Sequence, residues 1–217
     1  GKTATKTITI FQTPVLLVHG IRSNFTDAWE KPEMNMHKVL LNGGFMVFPI
    51  DYDWEQSIGI TASVNLPSEL KRIKGDMARL GITSSKVDIV AHSQGGLVSR
   101  FYTTMPPTYY KDDVRKLIMI GTPNNGSPVA AWGPAQLRYW RAVSLDEMKP
   151  DSDFLKYLND PKPHLGGLCY NPNVEHFAIV GTKNTVYPPL FGDFEITEYF
   201  VDEGDGVVSK SSQTLDG

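Results

Sequence analysis

The residues most suited to chemistry are Ala91-His92-Ser93-Gln94-Gly95-Gly96, which directly follow the apolar run Val87–Val90. A buried strand that leads into a serine flanked by small residues, and then into a helix, is the layout of a nucleophile elbow. Ala91 and Gly95 must be small, because larger side chains would collide with the neighbouring strand and helix. The pattern predicts that Ser93 is a nucleophile held at a helix N-terminus, where developing negative charge is favoured. The alternative is an ordinary strand-to-helix turn with a capping serine.

A second segment, Val15-Leu16-Leu17-Val18-His19-Gly20-Ile21, ends a short apolar run in His-Gly. Cleavage of an ester passes through a tetrahedral oxyanion, which needs hydrogen-bond donors fixed in advance. The backbone N–H groups of Ile21 and of Gln94, the residue after the nucleophile, are the predicted donors. Gly20 lets the backbone approach closely, and His19 is interpreted as a shape-setting residue rather than the catalytic base.

A third segment, Asp202–Ser209, carries Asp205 at a tight turn bracketed by glycines, just before a short apolar run. A catalytic serine needs an acid that orients a histidine and stabilises its imidazolium form. The alternative is plain turn chemistry, since Asp-Gly is a common turn pair. Asp205 follows Ser93 after two further strand patterns, in the order serine, acid, histidine, and this position favours Asp205 as the acid.

No histidine follows Asp205 among the last twelve residues of the chain (217 − 205). All five histidines precede it: His19, His37, His92, His164 and His176. His92 is expected to point away across the elbow and His176 to be structural, while use of His164 would require a different chain order. A serine without an imidazole is a weak nucleophile at neutral pH. We therefore expect the 217-residue chain alone to have low activity.

Three explanations for the missing histidine stay open. The chain stops before the loop that carries it, or is one fragment of a longer protein, or has lost its base and now only binds. The first two are favoured, because the strand expected after Asp205 ends abruptly at Leu215-Asp216-Gly217.

The elements that must position these residues alternate between strand-like and helical patterns, which predicts an α/β fold with a mostly parallel sheet. Strands are predicted at Thr7–Phe11, Val15–Val18, Phe45–Pro49, Val87–Val90, Leu117–Ile120 and Val174–Val180, and in the stretch after Asp205. Helices are predicted over Asp27–Leu41, less regular because of Pro32, from Leu70 to Leu80 with an end at Gly81, and over Gly95–Met105.

The pattern over about residues 125–172 predicts an insertion of loops and short helices without a strand. In an α/β enzyme, such an insertion near the carboxyl ends of the strands usually shapes the site. A helix rich in large apolar side chains is expected there, from Ala130, Ala131, Trp132, Leu137, Tyr139, Trp140 and Val143. We interpret it as a partial cap over an apolar acyl-binding pocket; the alternative is that these residues only pack on the core.

Composition narrows the class of protein. The 217 residues are expected to form a single domain spanning residues 1–217, large enough for a sizeable core. The net charge of −3 gives no reason to expect nucleic acid. The single Cys169 excludes an internal disulfide and a cysteine-based zinc site. No apolar stretch is long enough to span a bilayer. Because Gly1 is not a natural initiator, removal of a leader and secretion stay open, and the compartment is not predicted.

Several segments follow one another in the order found in lipases of the α/β-hydrolase superfamily, which the chain resembles. They are Val15–Ile21, Asp51-Tyr52-Asp53-Trp54, Ala91–Gly96, Gly121-Thr122-Pro123-Asn124-Asn125-Gly126-Ser127 and Gly204–Ser209. The Tyr-Asp-Trp piece and Met148–Leu155 resemble the branch that contains lecithin–cholesterol acyltransferase-like and bacterial triacylglycerol lipases. The resemblance implies Ser93 as nucleophile, Asp205 as triad acid, and Ile21 and Gln94 as the oxyanion hole. It also implies a histidine base after the acid.

The predicted reaction is hydrolysis of a carboxylic ester or lipid through an acyl-enzyme on Ser93. No organic cofactor is expected. Some bacterial lipases of this type carry a structural calcium, but no full ligand set is recognised in this sequence, so no metal is predicted. Two alternatives stay open: an acyltransferase of the same fold, and a non-catalytic binding module that lacks the triad histidine.

Overall fold

Five apolar runs form a parallel sheet in the computed structural model, which describes residues 10–32, 35–130, 142–160, 170–182 and 207–215. Within those residues the strands are β1 (Val15–Val18), β2 (Val47–Ile50), β3 (Val87–His92), β4 (Val114–Ile120) and β5 (Glu175–Ile179). Their order is β2-β1-β3-β4-β5, and every neighbouring pair is parallel. The predicted parallel α/β architecture is confirmed, and the strand that leads to Ser93 lies at the centre of the sheet.

Helices connect the strands. They are α1 (Phe25–Trp29), α2 (Met36–Asn42), α3 (Ile58–Ile60), α4 (Leu66–Arg79), α5 (Gln94–Thr104), α6 (Val143–Glu147), α7 (Asp153–Asn159) and α8 (Lys210–Gln213). A π-helical turn, Thr61–Asn65, joins α3 to α4. Residues 125–130, 142–160 and 170–172 of the insertion contain no strand, as predicted.

The single helix predicted over Asp27–Leu41 is wrong, because the chain forms α1 and α2 instead. Pro32 lies between them, and a proline removes a backbone donor and disfavours helical geometry in the preceding residue. Asn35 then starts α2 by accepting a hydrogen bond from the Lys38 N–H at 2.7 Å.

Helix α4 is longer than predicted, since it begins at Leu66 rather than near Leu70, but it ends where the sequence indicated. Gly81, two residues after the last helical residue, has φ +73°, a conformation that glycine adopts without strain. The buried stripe of α4 consists of Leu66, Leu70, Ile73 and Met77.

The stretch after Asp205 is not a strand in residues 207–215, contrary to expectation. It forms the short helix α8, whose start is capped by the Ser209 side chain accepting from the Ser212 N–H at 3.2 Å. Serine is a preferred residue at the start of a helix because its side chain satisfies one of the unpaired N–H groups there. The predicted edge strand is also not found at Ile10 and Phe11, which are exposed and irregular. Residues 7–9 lie outside the described residues.

Strand β1 has the predicted bounds, and the remaining strand and helix bounds differ from the predicted ones by at most three residues. The strand predicted at Phe45–Pro49 starts two residues later, β3 extends two residues further, and β4 starts three residues earlier. Both faces of the sheet are packed. Leu16, Val18 and Ile89 face the larger core cluster, which includes α4 and α5, whereas Leu17 and Val90 face Trp29 of α1. Burying each such side chain stabilises the fold by about 1.5–3 kcal/mol, so the carboxyl ends of the strands are held firmly.

Candidate active site

Ser93 lies in the turn between β3 and α5 with φ +52° and ψ −124°. A non-glycine residue in such a region costs about 1–3 kcal/mol and persists only where its surroundings enforce it. The Ser93 N–H donates to the Ile120 carbonyl of β4 at 2.9 Å, and the Ser93 carbonyl accepts from the Gly96 N–H at 3.0 Å. The Ser93 side chain makes no capping hydrogen bond. The reading of Ser93 as a plain capping serine therefore fails.

The residues around Ser93 are small because neighbouring backbone fills the space. A Cβ on Gly95 would lie 2.5 Å from the His19 carbonyl oxygen and 2.7 Å from that of Val18. A Cβ on Gly96 would overlap the Thr122 side chain. Ala91 is completely buried. The start of α5 is thus packed directly on the end of β1.

The loop after β1 lies against the nucleophile. A Cβ on Gly20 would be 2.7 Å from the Ser93 Cβ and 2.9 Å from the His92 carbonyl oxygen. Ile21 therefore follows immediately after the point of contact. Gln94 is the first residue of α5, where a backbone N–H has no acceptor within the helix. Over the described ranges, neither the Ile21 nor the Gln94 N–H donates a hydrogen bond.

His19 fixes the shape of this loop. Its ring is buried, its Nδ1–H donates to the Gly20 carbonyl at 2.9 Å, and its Nε2 accepts from the Tyr52 N–H at 3.3 Å. The Tyr52 ring stacks on it at 4.1 Å, and the Tyr52 hydroxyl donates to the His19 carbonyl at 2.6 Å. Burial lowers the pKa of His19, so the ring is neutral. These contacts agree with the interpretation of His19 as a shape-setting residue.

Asp51 reinforces the same loop from the end of β2. Its carboxylate accepts a hydrogen bond from the Phe25 N–H, at the first turn of α1, at 2.6 Å. The Asp51 and Tyr52 contacts together anchor the chain from residue 19 to residue 25 at both ends. The sequence did not predict this structural role of Asp51 and Tyr52, because the Tyr-Asp-Trp segment indicated only a resemblance to a family.

The described histidines other than His19 have separate roles. His92 lies on the α1 face of the sheet, with its ring edge-on to Trp29 at 6.4 Å. The His37 Nδ1 of α2 is hydrogen-bonded to the Glu30 Oε1 at 2.9 Å. His176 lies in β5, where burial, together with the charge of Arg100, lowers its pKa to about 4.

None of these imidazoles, within the part of the chain that the structure describes, is hydrogen-bonded to the Ser93 hydroxyl. His164 lies outside the described residues.

Asp205 also lies outside the described residues, but the chain that follows it is anchored at the edge of the sheet where Ser93 lies. The Val207 carbonyl accepts from the Ser127 hydroxyl at 2.5 Å, in the loop after β4. The Gln213 side chain exchanges hydrogen bonds with the backbone of Gly181, just after β5. Asp205 precedes Val207 by two residues in the sequence.

A buried polar cluster that the sequence analysis did not assign joins α5 to these loops. Arg100 of α5 is 2% exposed and donates to the Asn124 and Asn159 side chains at 3.0 Å each. Asn124 in turn donates from its backbone to the Ser212 carbonyl at 2.8 Å and from its side chain to the Gln213 carbonyl at 3.0 Å. The signal in the sequence that could have indicated this cluster is the presence of asparagines in a loop at the end of a strand.

Two surface pockets lie far from this edge, at the amino ends of the strands. One is lined by residues before β1 and before β3, the other by residues before β4 and before β5. No group of three or more metal-ligating side chains occurs among the described residues. None of the described helices is both long and apolar enough to cross a membrane.

The parallel sheet with its helices and the turn at Ser93 define an α/β-hydrolase fold of the type found in bacterial lipases and esterases. The chain belongs to the family described as a domain of unknown function, DUF7379, which matches residues 3–140. It is also 32% identical over 124 residues to a triacylglycerol lipase from Pseudarthrobacter phenanthrenivorans. That match covers 54% of this chain and 35% of the relative.

Solved structures show the same fold. The lipase BlEst2 of Bacillus licheniformis in propeptide form superimposes with a TM-score of 0.75 at 21% identity, covering 94% of this chain and 43% of that one. Phospholipase PlaB of Legionella pneumophila superimposes with a TM-score of 0.65 at 21% identity, covering 94% of this chain and 44% of that one. Staphylococcus hyicus lipase superimposes with a TM-score of 0.56 at 16% identity, covering 97% of this chain and 82% of that one. The predicted resemblance to bacterial lipases of the α/β-hydrolase superfamily is confirmed; its lecithin–cholesterol acyltransferase-like part stays a prediction.

Proposed function

We propose that this protein is a serine hydrolase that cleaves carboxylic esters through an acyl-enzyme on Ser93. The observation that carries the proposal is the strained backbone of Ser93, φ +52°, packed against Gly20. Backbone strain of this kind is concentrated at active sites. Here the strained turn presents a hydroxyl beside backbone N–H groups that have no acceptor. The oxyanion hole consists of the N–H groups of Ile21 and Gln94.

The reaction runs in two halves. The Ser93 Oγ attacks the carbonyl carbon of the ester while an imidazole accepts the Ser93 proton. The carbonyl oxygen becomes an oxyanion and accepts hydrogen bonds from Ile21 and Gln94, each worth about 10²–10³ in kcat. The tetrahedral intermediate collapses, and the leaving alkoxide takes the proton from the imidazolium. Water, deprotonated by the same imidazole, then attacks the acyl carbon. As the bond from the acyl carbon to the Ser93 Oγ breaks, the imidazolium returns its proton to that oxygen and the carboxylic acid is released.

Asp205 is proposed as the acid that orients the imidazole. The anchoring of Val207 to Ser127 and of Gln213 to Gly181 supports this role, because it holds the following chain at the carboxyl edge of the sheet. The base itself is proposed to lie outside the described residues, because none of the described imidazoles is bonded to Ser93.

The substrate class is proposed to be an ester with an apolar acyl chain, such as a lipid. The triacylglycerol lipase relative and the likeness to a phospholipase support this class. The chain spans about a third of that relative, so the specific substrate is not assigned. The insertion at about 125–172 is proposed as a partial cap over the acyl pocket, with α6 and α7 as its described helices.

The direct test is hydrolysis of p-nitrophenyl butyrate by the natural protein. Ser93→Ala should abolish turnover, and Asp205→Asn should lower kcat by at least about 10²-fold. Ser68→Ala is the matched control and should leave turnover unchanged, because Ser68 is an exposed serine of α4 whose hydroxyl donates to the Val64 carbonyl of the preceding π-helical turn. Equal turnover by Ser93→Ala and wild type would refute the proposal. Adding glycerol and measuring ester product against free acid separates acyl transfer from hydrolysis.

A further inference from the structure

The side chain of Gln94 is held at a single point. It is completely buried, and its Nε2 donates to the Trp54 carbonyl at 3.0 Å. Its Oε1 is buried and has no partner, so this is its only hydrogen bond among the described residues. The side chain and the N–H proposed for the oxyanion hole share one Cα. Fixing the Gln94 side chain therefore fixes the residue that carries the N–H.

The Trp54 carbonyl is held in turn by the insertion. Ser144 of α6 is completely buried, and its hydroxyl donates to the Trp54 carbonyl at 2.6 Å. A carbonyl oxygen has two acceptor lone pairs. Gln94 and Ser144 therefore occupy both, and the Trp54 peptide joins the start of α5 to the start of α6.

Both ends of α6 are fastened to the same segment. At its start, the Val143 N–H donates to the Glu55 carbonyl at 2.9 Å. At its end, the Glu147 carboxylate accepts from the Ser57 hydroxyl and from the Ile58 N–H, each at 2.6 Å. Helix α6 is thus fastened at both ends to residues 54–58, which are bonded to α5 through Trp54.

We propose that Ser144 is a positioning residue for ester cleavage, acting through the Trp54 carbonyl and the Gln94 side chain on the Gln94 N–H of the oxyanion hole. The inference rests on the proposed function. The Ser144 hydroxyl bonds to the Trp54 carbonyl and not to Ser93. Its contribution is to preorganise a donor that acts when the oxyanion forms, and an oxyanion-hole donor is effective only within about 2.7–3.1 Å of the oxyanion.

A residue with this role stabilises the transition state without contributing to the binding of the substrate. Ser144→Ala should lower kcat by about 3- to 10-fold, the effect of one neutral hydrogen bond, with KM for p-nitrophenyl butyrate unchanged. The inhibition constant of an alkylboronic acid, which forms a tetrahedral adduct on Ser93, should rise by the same factor.

The matched control is Ser84→Ala. The Ser84 hydroxyl also donates to a backbone carbonyl, that of Lys86, at 2.7 Å, but it lies before β3, at the opposite end of that strand from Ser93. This variant should lower the melting temperature and leave kcat unchanged. A purely structural role for Ser144 would make the two variants behave alike in kcat and in boronate affinity.

A second variant keeps the proposal testable if Ser144→Ala fails to fold. Gln94→Met keeps the length of the side chain, removes its donor, and should lower kcat with KM unchanged. Because Ser144 acts through Gln94, the double variant should be no slower than Gln94→Met alone. Multiplying effects, or an unchanged kcat in Gln94→Met, would overturn the proposal. Absence of Ser93-dependent turnover in the wild type would refute the proposed function itself, whereas wild-type turnover with an unaltered Ser144→Ala refutes only the positioning role.

Discussion

Replacing Gly20 by alanine tests whether the loop after β1 is built around Ser93. The added methyl carbon would lie 2.7 Å from the Ser93 Cβ and 2.9 Å from the His92 carbonyl oxygen. Carbon atoms in favourable contact are about 3.5–4.0 Å apart. The loop and the Ser93 turn must therefore separate by about 1 Å.

The energetic consequence follows from that displacement. Overpacking of a filled site costs about 1–3 kcal/mol of folding free energy, so Gly20→Ala should fold but unfold at a lower urea concentration. A misplacement of 1 Å at a reacting centre lowers the rate by about 10²-fold. We expect a fall of about that size in kcat/KM for p-nitrophenyl butyrate, and a similar fall in the rate of covalent labelling of Ser93.

Gly75→Ala is the matched control. Gly75 lies in α4, and a Cβ there would meet nothing within 4 Å. The substitution should keep full activity and stabilise the protein by about 0.5–1 kcal/mol, because glycine within a helix is unfavourable relative to alanine. Wild-type kcat/KM in a folded Gly20→Ala protein would refute the account of the loop.

Three further results are expected. Ser93→Gly should be about 1–2 kcal/mol more stable to urea than Ser93→Ala, because glycine adopts φ +52° without strain; equal midpoints would contradict the strain. Burial lowers the pKa of His176 to about 4, so the unfolded chain takes up a proton first as pH falls. The stability that His176 contributes is present above pH 6.5 and is lost towards pH 4. His176→Phe should remove about 3 kcal/mol of that loss of stability, and an unaltered pH profile in urea titrations would show that the ring titrates normally. The 217-residue chain alone should hydrolyse p-nitrophenyl butyrate slowly and gain Ser93-dependent rate when free imidazole is added. A fast rate without imidazole would mean that a histidine of this chain already serves as base.

The parts of the fold and site that the sequence predicted are those decided by local sterics. The small residues Ala91 and Gly95 indicated a tight turn, because the space around the turn excludes larger side chains whatever the rest of the chain does. Gly81 indicated the end of α4 for the same local reason. The continuous apolar run Val15–Val18 predicted a strand buried on both faces, and all four of its residues are buried.

The parts that could not be predicted depend on contacts between distant segments. The clamp at Trp54 joins residues separated by 40 positions on one side and 90 on the other, through a backbone carbonyl that carries no residue signature. Arginine is rarely buried, so the sequence offered no reason to expect Arg100 in the interior. Only the folded chain brings Asn124 and Asn159 to its guanidinium.

The central claim, that Ser93 is an activated nucleophile beside an oxyanion hole, is tested most directly by covalent trapping. The natural protein would be treated with an alkyl fluorophosphonate, digested and mapped by mass spectrometry, with Ser93→Ala treated in parallel. The account predicts one adduct, on the peptide that contains Ser93, and none in the variant. A folded wild-type protein without an adduct, or with equal labelling in Ser93→Ala, would contradict it.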